Sequence, residues 1–496
     1  MTERFNASNL LDRNLEAGRG EKTAVHWAGG SVTYAELARM AGGAGIRLRD
    51  LGVRREERVL LIMDDSPAMM AAFLGAIRLG AVPVPVNPLL QRSDDYDHYF
   101  EDSLARVVIS DDTTTARVGP AAERAGVPML PGAELVSAPA DLSPAPTHRD
   151  DMAFWLYSSG STGKPKAVVH LQHDIAYTCE TYAGQVLGIR EDDVTFSTTK
   201  LFHAYGLGNG MTFPLWAGAT SLLLSGRPTP PAALEMIAKY RPTLFFSAPT
   251  LYNAILNHPG SASADLSSIR HCVAAAEALP AEVWRRWKDV FGLTILDGIG
   301  STEMLHIYCS NRLEEVRPGS SGKPVPGYEV KILDEAGAPV AAGEAGDMYV
   351  RGDSALAFYW GQHEKTKRSV LGDWFFTGDR YRQDEDGFYW YEGRSDDIIK
   401  VSGLWVSPVE VESALLENPA VGESAVVGID VDGFTRIKAF VILRDGYVAS
   451  DEMAALLQEH CKGRLQRFQF PHVVEFVPEL PKTVTGKIQR YKLRAY

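Results

Sequence analysis

The sequence predicts an α/β protein in two parts: a large N-terminal α/β domain of several subdomains, residues 1–394, and a small α+β C-terminal domain, residues 395–496. Three observations carry that reading. At 496 residues the chain exceeds what one hydrophobic core usually organises. Up to about residue 350, short apolar runs alternate with amphipathic stretches, the pattern of layered strands and helices. Beyond 393-GRSDD-397 a new helix start and further strands follow, enough for an independent unit of about 100 residues.

The elements follow in order. In 31-SVTYAELARMAGGAGIRLRDLG-52, Thr33 and Glu36 form a capping box ahead of an amphipathic helix. The runs 58-RVLLIM-63 and 81-AVPVPV-86 read as buried strands flanking a helix at about 66–79. The longest apolar region, 68-AMMAAFLGAIRLGAVPVPV-86, is broken by Arg78 and two prolines, so it suits a buried helix leading into a strand better than a membrane span. The Pro/Ala/Ser-rich 137-SAPADLSPAPTH-148 reads as an exposed linker. Next come 242-PTLFFSAPT-250, 271-HCVAAAEALP-280 and 293-LTILDGIGSTE-303, each a strand running into a polar turn. In the C-terminal part Ser407 is the expected N-cap, Pro408 the first helical residue and Glu410 the completion of a second capping box. Strands at 423-ESAVVGI-429, 437-IKAFVIL-443 and 472-HVVEFV-477, with a helix from near Ser450, complete it.

Composition excludes several classes. With 50 basic against 63 acidic residues the net charge is −13, which argues against a general binder of nucleic acid or anionic membrane. Cys179, Cys272, Cys309 and Cys461 are too scattered for a zinc site or a disulfide framework. The N-terminal stretch has no basic segment followed by an apolar core, so no secretory signal is read, and a cytoplasmic protein is expected.

Five polar clusters stand out: 157-YSSGSTGKPK-166, 297-DGIGSTEM-304, 377-TGD-379, 393-GRSDD-397 and 481-PKTVTGK-487. The first has the glycines, hydroxyls and lysines of a phosphate cradle. It is not the P-loop of nucleotide hydrolases, because Gly160 is separated from Gly163-Lys164 by two residues, not four, and Pro165 follows. In this order, the five clusters resemble those of the adenylate-forming superfamily of acyl-CoA synthetases, adenylation domains and luciferases, over nearly the whole chain. The runs 200-KLFHAYGLGNGMTFP-214, 273-VAAAEALP-280, 297-DGIGSTEMLHIYCSN-311 and 85-PVNPLLQRSDDYDHYFEDS-103 resemble benzoate-CoA ligases and related aryl-CoA ligases.

The resemblance implies an acid–thiol ligase using ATP, Mg²⁺ and coenzyme A. A carboxylate attacks the α-phosphate of ATP, and the acyl-adenylate formed passes its acyl group to CoA. Both reactants are negative, so catalysis has to offset their repulsion and hold them in line. Ser158, Ser159, Gly160, Ser161, Thr162, Gly163, Lys164 and Lys166 would wrap the β- and γ-phosphates with N–H groups, hydroxyls and positive charge. Glu303 would hold Mg²⁺ and Thr302 touch the α-phosphate. Ala275, Ala276, Glu277, Gly298 and Ile299 would line the adenine, with Ala276 standing where benzoate ligases often carry Gly. Asp379 would accept from the ribose hydroxyls with Arg394 assisting, and Lys487 would bridge carboxylate and α-phosphate.

For the thioester step the resemblance makes the C-terminal domain mobile, with Asp396 as hinge and Gly403 lining the CoA tunnel. His203 takes the aromatic gate position; a core histidine is the competing reading. Ala204, Tyr205, Gly300, His306 and Ile307 would form a flat slot for a small aromatic carboxylic acid, benzoate or a substituted benzoate. His306 either fills the end of that slot or meets a ring substituent, and the first is favoured. A carrier-protein phosphopantetheine is the alternative acceptor. A longer-chain acid ligase or a non-catalytic nucleotide binder are further readings; the small slot residues speak against the first, and Lys487 with Glu303 against the second.

Overall fold

A computed structural model describes residues 4–158, 164–395, 397, 399–401, 404–431, 434–466, 468–482 and 488–494. Its largest sheet has nine strands, six of them mutually parallel, in the order Thr23–Trp27, Thr220–Leu222, Val194–Ser197, Leu244–Ser247, His271–Ala274 and Ile295–Gly300. Ile307–Ser310 and Lys323–Pro324 extend one edge antiparallel, and Gly30–Thr33 closes the other. The central strands are buried on both faces, which is why they read as unbroken apolar runs. The polar turns that follow them gather at the carboxyl ends of the parallel strands, where open α/β sheets bind ligands.

A second, four-stranded parallel sheet runs Val82–Pro85, Arg58–Ile62, Val107–Ser110, Met129–Pro131. Val82–Pro85 lies at its edge, a position that tolerates the missing N–H groups of Pro83 and Pro85. The helix before it, Pro67–Leu79, starts with the Ser66 hydroxyl accepting from the Met69 N–H and ends at Gly80 in the left-handed region. It is buried almost all round, as the apolar region led one to expect. Among the described residues no helix is long and apolar enough to cross a membrane.

The Thr33 capping box is present: the hydroxyl accepts from the Glu36 N–H at 3.2 Å, and the Glu36 carboxylate from the Thr33 N–H at 2.7 Å. The helix it starts, Tyr34–Asp50, carries an unusual glycine face. A Cβ on Gly42 would lie 2.1 Å from the Ala140 carbonyl oxygen, and one on Gly43 2.3 Å from that of Ala138. Residues 137–148 are therefore no loose linker: the backbone is seated on this face and tied by Ala140 N–H to Arg39 O and Ala145 N–H to Arg78 O.

An antiparallel sheet of Glu329–Leu333, Ala345–Arg351, Trp374–Gln383, Val370–Leu371 and Tyr389–Arg394 follows. A smaller one joins Met152–Ser158, Lys166–Leu171 and Phe358–Tyr359. After Arg394 the chain builds its own core, in which Val411, Leu415, Val426, Ile437 and Leu457 pack between the helices Pro408–Leu416 and Asp451–Lys462 and the sheet Val421–Val431, Phe434–Leu443, Val473–Phe476. Ser407 caps its helix by accepting from the Glu410 N–H at 3.2 Å, but the expected box is half made. The Glu410 carboxylate turns instead to Gln469 Nε2 at 2.6 Å.

Candidate active site

Glu303 lies in the turn between Ile295–Gly300 and Ile307–Ser310. Its Oε1 accepts from the Tyr359 hydroxyl at 2.8 Å and from the Ser158 hydroxyl at 3.3 Å. Burial and the Glu303 charge push the Tyr359 phenol up, so it stays a donor. Lys166 pairs with Ser158 in the ladder, and its ammonium lies 5.4 Å from the centre of the Tyr359 ring. Burial pushes that ammonium down to about 8; the charge of Lys365 adds to the push and Glu303 opposes it. Lys164 is exposed. Ser159, Gly160, Ser161, Thr162 and Gly163 lie outside the described residues, as do Asp396, Gly403 and Lys487.

The turn bearing Thr302 and Glu303 is held from beneath. The Thr302 carbonyl accepts from His170 Nε2 at 2.8 Å, while His170 Nδ1 lies 2.7 Å from Asp174 Oδ2, both side chains fully buried. A carbonyl only accepts, so Nε2 is the donor in that bond. The Leu171 N–H also donates to Asp174, at 3.1 Å. On the turn itself, Ser301 Oγ accepts from the Met304 N–H at 3.2 Å, and Leu305 takes a left-handed φ of 64°.

The cluster 377-TGD-379 forms a bulge inside Trp374–Gln383. Phe376 faces Tyr349 and Arg380 faces Asp347, so three residues oppose Met348 alone. Asp379 stands directly opposite Arg394 in the ladder, and Arg394 Nη1 reaches both Asp379 Oδ1 at 3.1 Å and the Thr377 carbonyl at 3.0 Å. Gly378, at φ 73°, makes room: a Cβ there would sit 2.7 Å from Arg394 Nη2.

At the end of His271–Ala274, Ala275 is buried and Ala276 has φ 77°, a left-handed conformation in a residue with a Cβ. Glu277 turns its carboxylate to Thr250, accepting from the hydroxyl at 2.5 Å and from the N–H at 3.3 Å at the start of helix Pro249–Asn257. Gly298 and Gly300 let the adjacent strands close. A Cβ on Gly298 would lie 2.8 Å from the Cys309 carbonyl oxygen, and one on Gly300 2.5 Å from that of His306. Ile299, between them, packs against the main core.

Gly300 faces Ile307 in the ladder. His306 Nε2 lies 3.3 Å from the Tyr205 carbonyl, its ring 5.5 Å from that of Tyr205, 5.3 Å from Tyr182 and 4.5 Å from Phe213. Burial pushes its imidazole down to about 3, so it is neutral. The Tyr205 hydroxyl donates to the Val273 carbonyl at 3.0 Å. Ala204, beside it, and Ile307 are buried. His203 precedes the short helix Ala204–Leu207, half-buried, its ring 4.0 Å from that of Phe202.

Four participants carry no signal in the sequence. His170 and Asp174 have helix-like spacing, a pattern shared by many pairs with no role. Tyr359 and Lys365 sit in 358-FYWGQHEK-365, where no spacing links them to Glu303.

One carboxylate with a neighbouring hydroxyl fits a Mg²⁺ ion that keeps its waters and takes further ligands from phosphates. Among the described residues no cluster of three or more His, Cys, Asp or Glu could form a cage for a metal.

The sequence pattern of the AMP-binding enzyme family matches residues 11–360, and that of the AMP-binding enzyme C-terminal domain residues 410–487. The chain is 47% identical to the benzoate–CoA ligase of Thauera aromatica, over 99% of this chain and 96% of that protein. It is 41% identical to the 4-hydroxybenzoate–CoA/benzoate–CoA ligase of Rhodopseudomonas palustris, over 99% and 94%. Among solved structures, the anthranilate CoA ligase AuaEII in complex with anthranoyl-AMP superposes with a TM-score of 0.96 at 40% identity, over 100% of this chain and 98% of that one. A benzoate CoA ligase from Burkholderia xenovorans LB400 gives 0.93 at 45%, over 99% and 100%. The chain belongs to the adenylate-forming AMP-binding enzyme family, closely related to the benzoate- and other aryl-CoA ligases, and is an AMP-forming acid–thiol ligase.

Proposed function

We propose that this enzyme converts benzoate or a small ring-substituted benzoate to its CoA thioester. A carboxylate oxygen attacks the α-phosphorus of ATP, the bond to the bridging oxygen breaks, and pyrophosphate departs with the electron pair. The CoA sulfur then attacks the acyl carbon and AMP leaves. Lys166, Ser158 and the loop 159–163 hold the phosphates, Asp379 with Arg394 the ribose, and Ala275, Ala276, Glu277, Gly298 and Ile299 the adenine. Lys487 supplies charge to the adenylation transition state. Glu303 would hold Mg²⁺, which when bound neutralises phosphate charge. The domain after Asp396 then turns to admit CoA past His203 and Gly403.

The observation that carries the choice of acid is the setting of His306. Neutral and packed among Tyr182, Tyr205 and Phe213, it makes the end of the slot aromatic and uncharged. Such a wall favours a flat ring and discriminates between small substituents only modestly. The names of the relatives, which act on benzoate, hydroxybenzoates and anthranilate, support the same class.

The test incubates the enzyme with ATP and Mg²⁺, with and without CoA, across benzoate, its hydroxy, amino and chloro derivatives, cinnamate and hexanoate, following AMP and acyl-CoA by mass spectrometry. Benzoyl-CoA or a substituted benzoyl-CoA, with AMP, is expected. Adenylate without thioester would move the acceptor to a carrier protein; preference for hexanoate would overturn the slot assignment.

A further inference from the structure

The helix His363–Ser369 bears three cations that differ in setting. Lys367 and Arg368 are exposed, as on any solvated helix, while Lys365 is half-buried with its ammonium 5.3 Å from the centre of the Tyr359 ring. It is delivered there by a local clamp. Thr366 Oγ1 accepts from the Tyr359 N–H at 3.0 Å and donates to the Gln362 carbonyl at 3.1 Å, so the start of the helix and the strand Phe358–Tyr359 are fixed to each other.

The same ring carries Lys166 at 5.4 Å, and its hydroxyl donates to Glu303. Two ammonium groups are thus gathered on one aromatic side chain beside one carboxylate. Like charges so placed repel, and a ligand with several negative oxygens removes the repulsion where a single carboxylate does not.

We propose that Lys365 is a further substrate-contacting residue: with Lys166 it grips the β- and γ-phosphates of ATP and holds them as they leave as pyrophosphate. This rests on the reading of ATP as the substrate. When the α-phosphorus gains its bond to the carboxylate oxygen, the electron pair of the broken bond stays on the β-phosphate oxygen, and Lys365 meets the charge that develops there. Lysine suits this task as a compact point charge, since the leaving group has oxygens on all sides.

Two measurements test it. Calorimetry with inorganic pyrophosphate and Mg²⁺, needing no acid, compares wild type, Lys365→Met, Lys365→Arg and the exposed control Lys367→Met. Lys365→Met is expected to weaken pyrophosphate about tenfold or more, Lys365→Arg less, and Lys367→Met not at all, with AMP affinity unchanged in all four. In kinetics, Lys365→Met should raise KM for ATP and slow benzoate-dependent ATP–pyrophosphate exchange about 10- to 100-fold, yet convert supplied benzoyl-adenylate and CoA at the wild-type rate. Wild-type pyrophosphate affinity in Lys365→Met, or equal losses in both half-reactions, would overturn the assignment. Wild type that makes no adenylate from any acid would overturn the proposed function, and the calorimetric comparison would still decide Lys365.

Discussion

Tyr359 donates its hydroxyl to the Glu303 carboxylate across 2.8 Å, joining two residues 56 positions apart. The bond orients the carboxylate, and burial keeps the phenol protonated. Tyr359→Phe removes the donor and keeps the ring against which the lysines rest. A hydrogen bond to a charged group is worth about 1.5–3 kcal/mol, so kcat/KM for ATP should fall about tenfold to a hundredfold. The Mg²⁺ concentration for half-maximal rate should rise, with pyrophosphate release as the readout.

Lys166 makes phosphate binding sensitive to alkali. Its ammonium, pushed down by burial to about 8 from an ordinary 10.5, is charged below that pH and neutral above it. KM for ATP should therefore rise as pH climbs through about 8, and Lys166→Arg should abolish that limb while keeping a cation. The sign for stability is opposite. Between about 8 and 10.5 the unfolded chain binds more protons at this group, so its contribution to stability increases with pH while nucleotide binding weakens.

Ala276 adopts φ 77°, where a Cβ crowds the following carbonyl. Ala276→Gly should stabilise the large domain by about 1 kcal/mol, a rise in Tm of about 2 °C, and Ala276→Val should lower it. Scanning calorimetry reads both.

Asp174 is fully buried with His170 as its partner. Asp174→Ala leaves the buried His170 Nδ1 without its partner and should cost about 1–3 kcal/mol. His170→Gln keeps a donor for the Thr302 carbonyl and should retain most of the adenylation rate, whereas His170→Leu should lose it at least tenfold. Exchange assays at a temperature where both variants stay folded separate positioning from stability.

Gly300→Ala would place a Cβ 2.5 Å from the His306 carbonyl oxygen. The strands Ile295–Gly300 and Ile307–Ser310 would have to part, at about 1–3 kcal/mol. KM for the acid should rise more than KM for ATP, which steady-state kinetics with each substrate varied in turn would show.

The layering was legible because parallel strands announce themselves as apolar runs and their carboxyl ends carry the polar turns. Thr33 and Ser407 mark helix starts by local chemistry, and both cap as their side chains dictate. Ser158, Lys166 and Glu303 lie together around Tyr359. What stayed hidden depends on pairs distant in sequence. Glu410 prefers Gln469 to its own N-cap, and Lys365 gains its setting only because Thr366 ties it to Tyr359. No periodicity marks such pairs, since neither partner is exceptional until the sheets bring them together.

The segment 137–148 has one more consequence, for anyone who wishes to cut or splice this enzyme. Its composition invites a protease site, a split-protein junction or an inserted tag. Seated on Gly42 and Gly43, it works instead as a strap across the helix Tyr34–Asp50. A cassette placed there would lift the strap and bare a helix face that has no side chains of its own to cover it. Exposed turns such as the one at Gly337, where an added Cβ meets nothing within 4 Å, are the better places to open the chain.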